Sequence, residues 1–203
     1  MKDDFKYLGI GENILSIIGK EGFKRSKEIQ FKTMPLIFAG DDVIATSPIG
    51  SGKTISYIIS FLNIVVPQAG LQGLIIVPTE EHAKEVEKNF KLFTKQSTKC
   101  LNVFNSCKKA ILKEKIIKVD VVISTPKRLK ELINEKNYDF SKVTTIVLDD
   151  VDVMFEVEDF DRFNFILRNM PKKKQMLIFS TSISQGVYLK IRYWMRMPKR
   201  INI

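Results

Sequence analysis

Short apolar runs rich in β-branched residues recur along the chain and alternate with longer amphipathic stretches. The runs are nearly continuous, which is typical of strands buried on both faces. They predict six strands, at Asp42–Thr46, Gly73–Val77, Lys99–Phe104, Val119–Ser124, Thr144–Asp149 and Gln175–Ser180. Helices are predicted between them, at Gly52–Val66, Glu80–Phe93, Cys107–Glu114, Pro126–Asn134, Phe160–Asn169 and Ser184–Trp194. Repeated units of this kind predict an α/β fold with a doubly wound, mostly parallel sheet and helices on both faces.

The 203 residues, 44% of them hydrophobic, are enough for one domain with a substantial core. Residues 1–40 precede the first predicted strand and form a preamble, which we expect to pack on a domain made by residues 41–203. The segment from Arg192 to Arg200 is interpreted as a helix face followed by the start of a linker, and residues Phe155–Phe165 as core packing.

The formal net charge is +10, which favours an anionic partner, nucleic acid first and a membrane surface second. A merely soluble basic surface explains the charge equally well. No apolar run reaches the length of a membrane span, and the acidic N-terminus lacks a secretory signal. Two cysteines are too few for a disulfide framework. We expect an intracellular protein, cytoplasmic or nuclear, that does not act on membranes. The single histidine, His82, is expected at the surface.

Residues Ser47–Thr54 combine two glycines with a terminal Gly-Lys-Thr and lie between the first predicted strand and a helix. This strand–loop–helix pattern cradles phosphates on backbone N–H groups and a helix N-terminus. Lys53 is predicted to reach the β- and γ-phosphates, and the Thr54 hydroxyl to bind Mg²⁺. The predicted nucleotide-binding set in this loop is Ser47, Gly50, Ser51, Gly52, Lys53 and Thr54.

Three carboxylates, Asp149, Asp150 and Asp152, follow the three apolar residues of the fifth predicted strand, Ile146–Leu148. The carboxyl ends of parallel strands meet at one edge of a sheet, so we expect these acids near the phosphate loop. Phosphoryl transfer needs a charge clamp, a metal and a group that orients water. We predict that Lys53 is the clamp, that Asp149 holds Mg²⁺ through water and that Asp150 orients water. An acidic loop that only caps a helix is the alternative.

The motif order resembles the first RecA-like, P-loop domain of the DEAD-box RNA helicase family, from Phe5 to the C-terminus. Phe5, Gly22-Phe23 and Ile29-Gln30 are similar to the adenine-reading Q motif and its upstream aromatic residue. The other matching segments are Ser47–Thr54, Pro78-Thr79, Thr125–Arg128, Asp149–Asp152 and Ser180–Ser182. The resemblance implies an ATP-binding helicase lobe that uses Mg²⁺ and serves RNA unwinding or remodelling by ATP hydrolysis.

Site roles follow from the resemblance position by position. Phe5 would pack against adenine, and the amide of Gln30 would read its edge. Asp152 would pair with Ser180 and Ser182, linking the nucleotide site to the RNA side. The residues implied to lie along the RNA backbone, in contacts independent of base sequence, are Pro78, Thr79, Thr125, Lys127 and Arg128.

Several positions depart from the family pattern. Asp150 replaces a glutamate and is one methylene shorter, and Glu80 replaces an arginine that would face RNA. Lys127 replaces a glycine, and Ser26 and Lys27 replace a proline and a Ser/Thr of the Q motif. These changes favour the alternative of a degenerate, weakly hydrolysing domain that acts as an RNA- or protein-binding scaffold.

A second RecA-like domain, which in this family supplies arginine fingers and half of the RNA site, has no counterpart among the 203 residues. We therefore expect this polypeptide alone to be inert as an ATPase, and we expect its partners to be RNA, a second RecA-like domain and proteins of an RNA–protein complex. An unrelated P-loop ATPase or nucleotide kinase is the third hypothesis, and Gln30 distinguishes it by predicting adenine over guanine.

Overall fold

The structure is a computed structural model that describes residues 4–94, 99–102, 118–136, 138–157 and 160–203. The predicted helix Cys107–Glu114 and the last two residues of the predicted strand Lys99–Phe104 lie outside this range.

One sheet organises the described part of the chain, and every neighbouring pair of its seven strands is parallel. The strand order is β3-β4-β2-β5-β6-β1-β7. The strands are β1 (Val43–Thr46), β2 (Gly73–Ile76), β3 (Cys100–Asn102), β4 (Val121–Ser124), β5 (Thr145–Asp149), β6 (Gln175–Ser180) and β7 (Lys199–Asn202).

Eight α-helices lie within the described ranges, four on each face of the sheet. Those that pack on the first face are α1 (Glu12–Lys20), α2 (Glu28–Phe38), α3 (Lys53–Ile64) and α4 (Glu80–Phe93). Those on the second face are α5 (Pro126–Asn134), α6 (Val151–Val157), α7 (Phe160–Arg168) and α8 (Gln185–Arg192). The short segment Phe5–Tyr7 is a 3₁₀ turn.

Alternate residues of the central strands enter two separate cores. In β5, Val147 packs with the first-face helices, whereas Ile146 and Leu148 pack with the second-face helices. Successive side chains of a strand point to opposite faces, so a strand covered on both sides must be apolar at every position. This is why the strands appear in the sequence as unbroken apolar runs.

The predicted α/β class with a doubly wound parallel sheet is confirmed. Five of the six predicted strands begin or end one or two residues outside the observed ones, and the predicted strand Gln175–Ser180 has the observed bounds. The preamble is part of the fold, because Phe5, Ile18 and Ile29 are buried in the first-face core. Among residues Phe155–Phe165, Phe163 is fully buried, as core packing requires.

Strand β7 corrects the interpretation of the C-terminal segment as a linker. Lys199 is the register partner of Val43, so these residues extend the sheet beyond β1. The strand forms an edge and is largely exposed, and it therefore lacks the apolar run that marks the buried strands. Helix α6 was also not predicted, because it begins directly after the acidic end of β5. Within the described residues, no helix is long and apolar enough to cross a membrane.

Candidate functional site

A cleft of about 510 Å³ opens at the carboxyl edge of the sheet. Parallel strands bring their carboxyl ends together there, so residues far apart in sequence share one wall. The lining consists of the loop and helix start from Ile49 to Ile55, the α4 residues His82, Glu85 and Asn89, the acids Asp149 and Asp150, and Phe23 and Lys27 of the preamble.

The loop between β1 and α3 adopts a conformation that depends on its glycines. Gly50 has φ +76° and Gly52 has φ +99°, both in the left-handed region that other residues rarely enter. Gly52 is the N-cap of α3, so the positive end of that helix faces the cleft. Ser47 and Ser51 close the base of the loop through a 2.6 Å hydrogen bond between their hydroxyls.

Lys53 lies at the start of α3 and is 8% exposed. Its ammonium group donates to the carbonyl oxygens of Ser47 at 2.8 Å and of Pro48 at 3.2 Å. A nearly buried ammonium held only by neutral carbonyls is ready to exchange them for an anion, since hydrogen bonds between charged partners are the stronger ones. The loop therefore places one strong cation beside the N–H groups at the helix start.

The preamble is fastened to this loop by Lys27 and Gln30 at the start of α2. The side-chain oxygen of Gln30 accepts from the backbone N–H of Lys27 at 2.8 Å, and its amide donates to the carbonyl of Gly52 at 3.5 Å. The Lys27 ammonium donates to the carbonyl of Gly50 at 2.6 Å. The loop thus carries contacts from residues more than twenty positions earlier in the chain.

Of the two aromatic residues that the sequence placed near adenine, only Phe23 lines the cleft. Its ring lies 5.6 Å from that of Phe93, centroid to centroid. Phe5 is 3% exposed and belongs to the first-face core. Gln30 is 2% exposed, and its side-chain amide contacts the carbonyl oxygen of Gly52 in the loop.

Asp149, at the end of β5, is 1% exposed and is held by two side chains that sequence reasoning did not assign. The buried hydroxyl of Tyr57 donates to its Oδ2 at 2.7 Å. The Nε2 of His82 lies 3.3 Å from the same oxygen, and its Nδ1 lies 3.5 Å from Asp150 Oδ2. Tyr57 lies one helical turn after Lys53, so helical spacing could have indicated it.

The expectation that His82 is a surface residue is wrong. Its side chain is 20% exposed and lies between two carboxylates of the cleft. Helix α4 follows β2, and β2 pairs with β5, so the first turn of α4 lies beside the acids at the end of β5. That neighbourhood follows from strand order, which the sequence pattern does not specify.

The charges in the cleft shift each other's protonation. Burial and the charge of Asp149 raise the pKa of Asp150, although His82 and Lys53 oppose the shift. Burial alone would lower the pKa of His82, but hydrogen bonding to Asp149 and the charges of both acids outweigh it, so this pKa is raised. Asp150 also has φ +54° and donates its N–H to the carbonyl of Phe179 at 2.8 Å. The pKa values of Asp150 and of His82 therefore both depend on the charge of the neighbouring Asp149.

Asp152 is the second residue of α6 and connects the acids of the cleft to the end of β6. It accepts hydrogen bonds from Ser180, from Thr181 at 2.9 Å and from Ser182 at 3.4 Å. Burial raises the pKa of Asp152, but the hydroxyls of Ser180 and Thr181 outweigh this and lower it. Sequence reasoning named the two serines and missed Thr181, which faces the same carboxylate.

The residues that the resemblance assigns to RNA contacts lie at the starts of α4 and α5, at the same edge of the sheet. Thr79 and Thr125 are N-caps, and their hydroxyls accept from the N–H groups of His82 at 3.1 Å and of Arg128 at 3.4 Å. Lys127 is exposed, whereas Arg128 is 9% exposed and pairs with Glu131 at 2.8 Å. Pro78 is partly exposed beside Thr79. Glu80 occupies the first turn of α4, where a negative charge stabilises the helix.

The donor set fits a magnesium ion that is completed by a nucleotide. No group of three or more His, Cys, Asp or Glu side chains in the described ranges is arranged to hold a metal by itself. Magnesium normally takes one or two protein oxygens, with phosphates and water filling the rest. Thr54 and Asp149 both line the cleft and supply oxygens of that kind.

Tyr57→Phe is expected to lower the free energy of unfolding by about 2 kcal/mol, because a buried carboxylate loses a charge-assisted hydrogen bond. Urea unfolding monitored by circular dichroism measures the change. Tyr138→Phe is the matched control, because the Tyr138 hydroxyl donates to the carboxylate of Glu135 at 3.3 Å but its side chain is only partly buried, whereas Tyr57 is fully buried. Equal losses for the two variants would show that Asp149 does not depend on Tyr57.

Comparison with known proteins places this cleft in a family context. A family model described as DEAD/DEAH box helicase matches residues 27–189. An Arabidopsis thaliana protein that carries the name DEAD-box ATP-dependent RNA helicase 29 is 32% identical over 213 residues, covering 98% of this chain and 24% of that protein.

Solved structures share the fold over nearly the whole chain. The crystal structure of a DEAD box protein from Methanococcus jannaschii is 25% identical with a TM-score of 0.94, over 98% of this chain and 56% of that one. Saccharomyces cerevisiae Dbp5, in a structure with Gle1 and IP6, is similar in fold, with 24% identity and a TM-score of 0.91, over 99% of this chain and 52% of that one. The chain spans about a quarter of the curated relative and about half of each structural relative.

Proposed function

Because this chain belongs to the DEAD/DEAH box helicase family, we propose that it is the ATP-binding lobe of an ATP-dependent RNA helicase. The observation that carries the proposal is a single cleft in which the Lys53 loop faces Asp149 and Asp150. These are the parts that phosphoryl-transfer sites share: a phosphate cradle with a lysine, and carboxylates across from it.

ATP occupies the cleft in this proposal, with its phosphates on the loop N–H groups and on Lys53. Thr54 and Asp149 would hold Mg²⁺, Asp149 partly through water, and the ion would supply positive charge that neutralises the phosphates. Tyr57 and His82 contact the Asp149 carboxylate and fix its orientation. Asp150 orients the attacking water, and burial and the charge of Asp149 raise the pKa of its carboxyl group.

The adenine base lies toward the preamble, where Gln30 and Phe23 meet the loop. Gln30 offers two N–H donors and an oxygen with two lone pairs, and in this structure Gly52 takes one donor and Lys27 one lone pair. Reading the base therefore uses the remaining donor and lone pair, which must first be uncovered because Gln30 is 2% exposed. Phe5 supports the preamble from within the core, and an adenine contact for its ring requires that it become uncovered.

RNA lies along the starts of α4 and α5, and its backbone is contacted by Pro78, Thr79, Thr125, Lys127 and Arg128. Lys127 is available directly, whereas Arg128 must exchange Glu131 for a phosphate. Asp152 links the nucleotide site to the RNA side. It lies in α6, the helix directly after Asp149 and Asp150, and accepts hydrogen bonds from Ser180, Thr181 and Ser182. A second RecA-like domain completes both sites in the parent protein.

A degenerate scaffold is the second candidate, and Asp150 and Glu80 favour it. Displacement of a catalytic group by about 1 Å can cost roughly 100-fold in rate, and Asp150 is one methylene shorter than glutamate. Glu80 sets a negative charge on the path assigned to RNA phosphates. In this version the lobe binds nucleotide weakly and acts through RNA or protein contacts.

Titration of the chain with fluorescent ADP and ATP, with and without Mg²⁺, distinguishes the two candidates. We expect saturable binding that Mg²⁺ strengthens, with ATP preferred over GTP by at least about tenfold, because Gln30 matches the adenine edge. Equal affinity for GTP would contradict the helicase assignment of Gln30 and favour another P-loop enzyme. No binding up to about 1 mM nucleotide, a free energy near −4 kcal/mol, would support the scaffold.

A further inference from the structure

Lys27 is a second lysine in the nucleotide cleft, and neither the sequence motifs nor the family resemblance gives it a function. It comes directly before α2 as the N-cap and lines the same cleft as Lys53 and Thr54. The Q-motif pattern has a Ser or Thr at this position, so the charge is a feature of this chain.

The position of Lys27 is fixed at both ends of the residue. Its backbone N–H donates to the side-chain oxygen of Gln30 at 2.8 Å. Its aliphatic stem runs beside the loop, with Cδ 3.2 Å from the point where a Cβ on Gly52 would lie. Its ammonium group ends 2.6 Å from the carbonyl oxygen of Gly50. The side chain therefore follows the loop from its helix end toward its tip.

The contacts of Lys27 match those of Lys53. Both ammonium groups donate to carbonyl oxygens of the same loop, Lys53 to Ser47 and Pro48, and Lys27 to Gly50. An ammonium group has three donors, and the described contacts of Lys27 use one of them. In the described part of the chain, no carboxylate forms an ion pair with it. Two cations thus flank a loop that is shaped to surround an anion.

We propose that Lys27 is a second phosphate-binding residue, which exchanges the Gly50 carbonyl for the polyphosphate of a bound nucleoside di- or triphosphate. The exchange replaces a bond to a neutral acceptor by one to a charged acceptor, and such bonds are shorter and roughly twice as strong. Lys27 is exposed, so solvent weakens its contribution relative to that of the buried Lys53. This inference rests on the proposed nucleotide site and names a recognition element within it.

Lys27→Met tests the inference, because methionine keeps much of the stem and removes the charge. The measurement is competition of unlabelled ATP, ADP and adenosine against fluorescent ADP at low salt, with thermal unfolding as a check on folding. We expect the affinity for ATP and ADP to fall about 5- to 10-fold, the affinity for adenosine to change less than about twofold, and Lys27→Arg to restore most of the loss. Lys32→Met is the matched control, because Lys32 lies on the same helix and is paired with Glu28 at 2.6 Å; we expect it to bind like the wild type.

Two results would overturn the inference. Unchanged ATP and ADP affinity in Lys27→Met would exclude a phosphate contact, and an equal loss for adenosine would assign Lys27 to holding the loop in shape. In both cases the proposed function would stand if the wild type binds adenine nucleotides and Lys53→Ala does not. Failure of the wild type to bind any adenine nucleotide would instead overturn the proposed function, and the Lys27 inference with it.

Discussion

Lys53→Ala is expected to weaken ADP and ATP binding by about 100-fold, equivalent to about 2.7 kcal/mol. Lys53 as a residue is 8% exposed at the start of α3, so the attraction of its charge to a phosphate is little screened by water. Its donors already point into the loop, toward Ser47 and Pro48, and no large rearrangement is needed when an anion replaces those carbonyls. Fluorescence titration with labelled ADP in Mg²⁺ measures the loss.

Lys142→Ala is the matched control for this variant. Lys142 also donates to a backbone carbonyl, that of Ala69 at 3.0 Å, but it lies in an exposed turn before β5 and does not line the cleft. We expect its nucleotide affinity to equal that of the wild type. Binding by Lys53→Ala within about threefold of the wild type would mean that the loop does not hold phosphates.

Gly52→Ala is expected to have the second-largest effect, lowering the free energy of unfolding by about 2–3 kcal/mol and nucleotide affinity by more than tenfold. Two causes add. The backbone at φ +99° is strained for any residue with a Cβ, at about 1–2 kcal/mol. The new Cβ would also lie 2.7 Å from Nε2 of Gln30, so the end of that side chain would have to shift and give up its contact with the loop.

Gly50→Ala separates these two causes, because it shares one of them. Gly50 has φ +76°, but a Cβ there meets no atom within 4 Å. It should therefore show the backbone strain alone, with a loss of about 1 kcal/mol and a smaller effect on binding. Urea unfolding and ADP titration of both variants give the comparison. Equal losses would mean that the contact between Gln30 and the loop contributes nothing to the site.

The acidic side of the cleft explains why nucleotide binding and hydrolysis need separate measurements here. Asp149 is held by Tyr57 and His82, so the carboxylate assigned to the metal has a fixed orientation before any ligand arrives. Asp150 is short for its assigned function and has a strained backbone, and its protonation depends on Asp149 and His82. Under the proposed function, metal and nucleotide binding depend on Asp149 and hydrolysis depends on Asp150.

The sequence alone determined the features that local chemistry specifies. Apolar runs identified strands β1 to β6, and in the buried strands β1, β2, β4, β5 and β6 the runs are unbroken because both faces of the strand are covered. Glycines followed by Lys53 and Thr54 predicted a phosphate loop, and acids directly after an apolar run drew attention to Asp149 and Asp150. The family resemblance, rather than local chemistry, implied that Asp152 pairs with Ser180 and Ser182, and both hydroxyls contact its carboxylate.

Tertiary structure decided which side chains meet around these elements. His82 was expected at the surface, yet the pairing of β2 with β5 brings it between Asp149 and Asp150. The order of strands in a sheet cannot be read from the hydrophobic pattern of the sequence. Strand β7 is an exposed edge that gains its structure from pairing with β1 rather than from an apolar pattern. Arg128 appeared free for RNA until folding buried it beside Glu131. Lys27 appeared only as a departure from a motif, and folding laid it along the loop, because long-range packing fixes the direction of a flexible side chain.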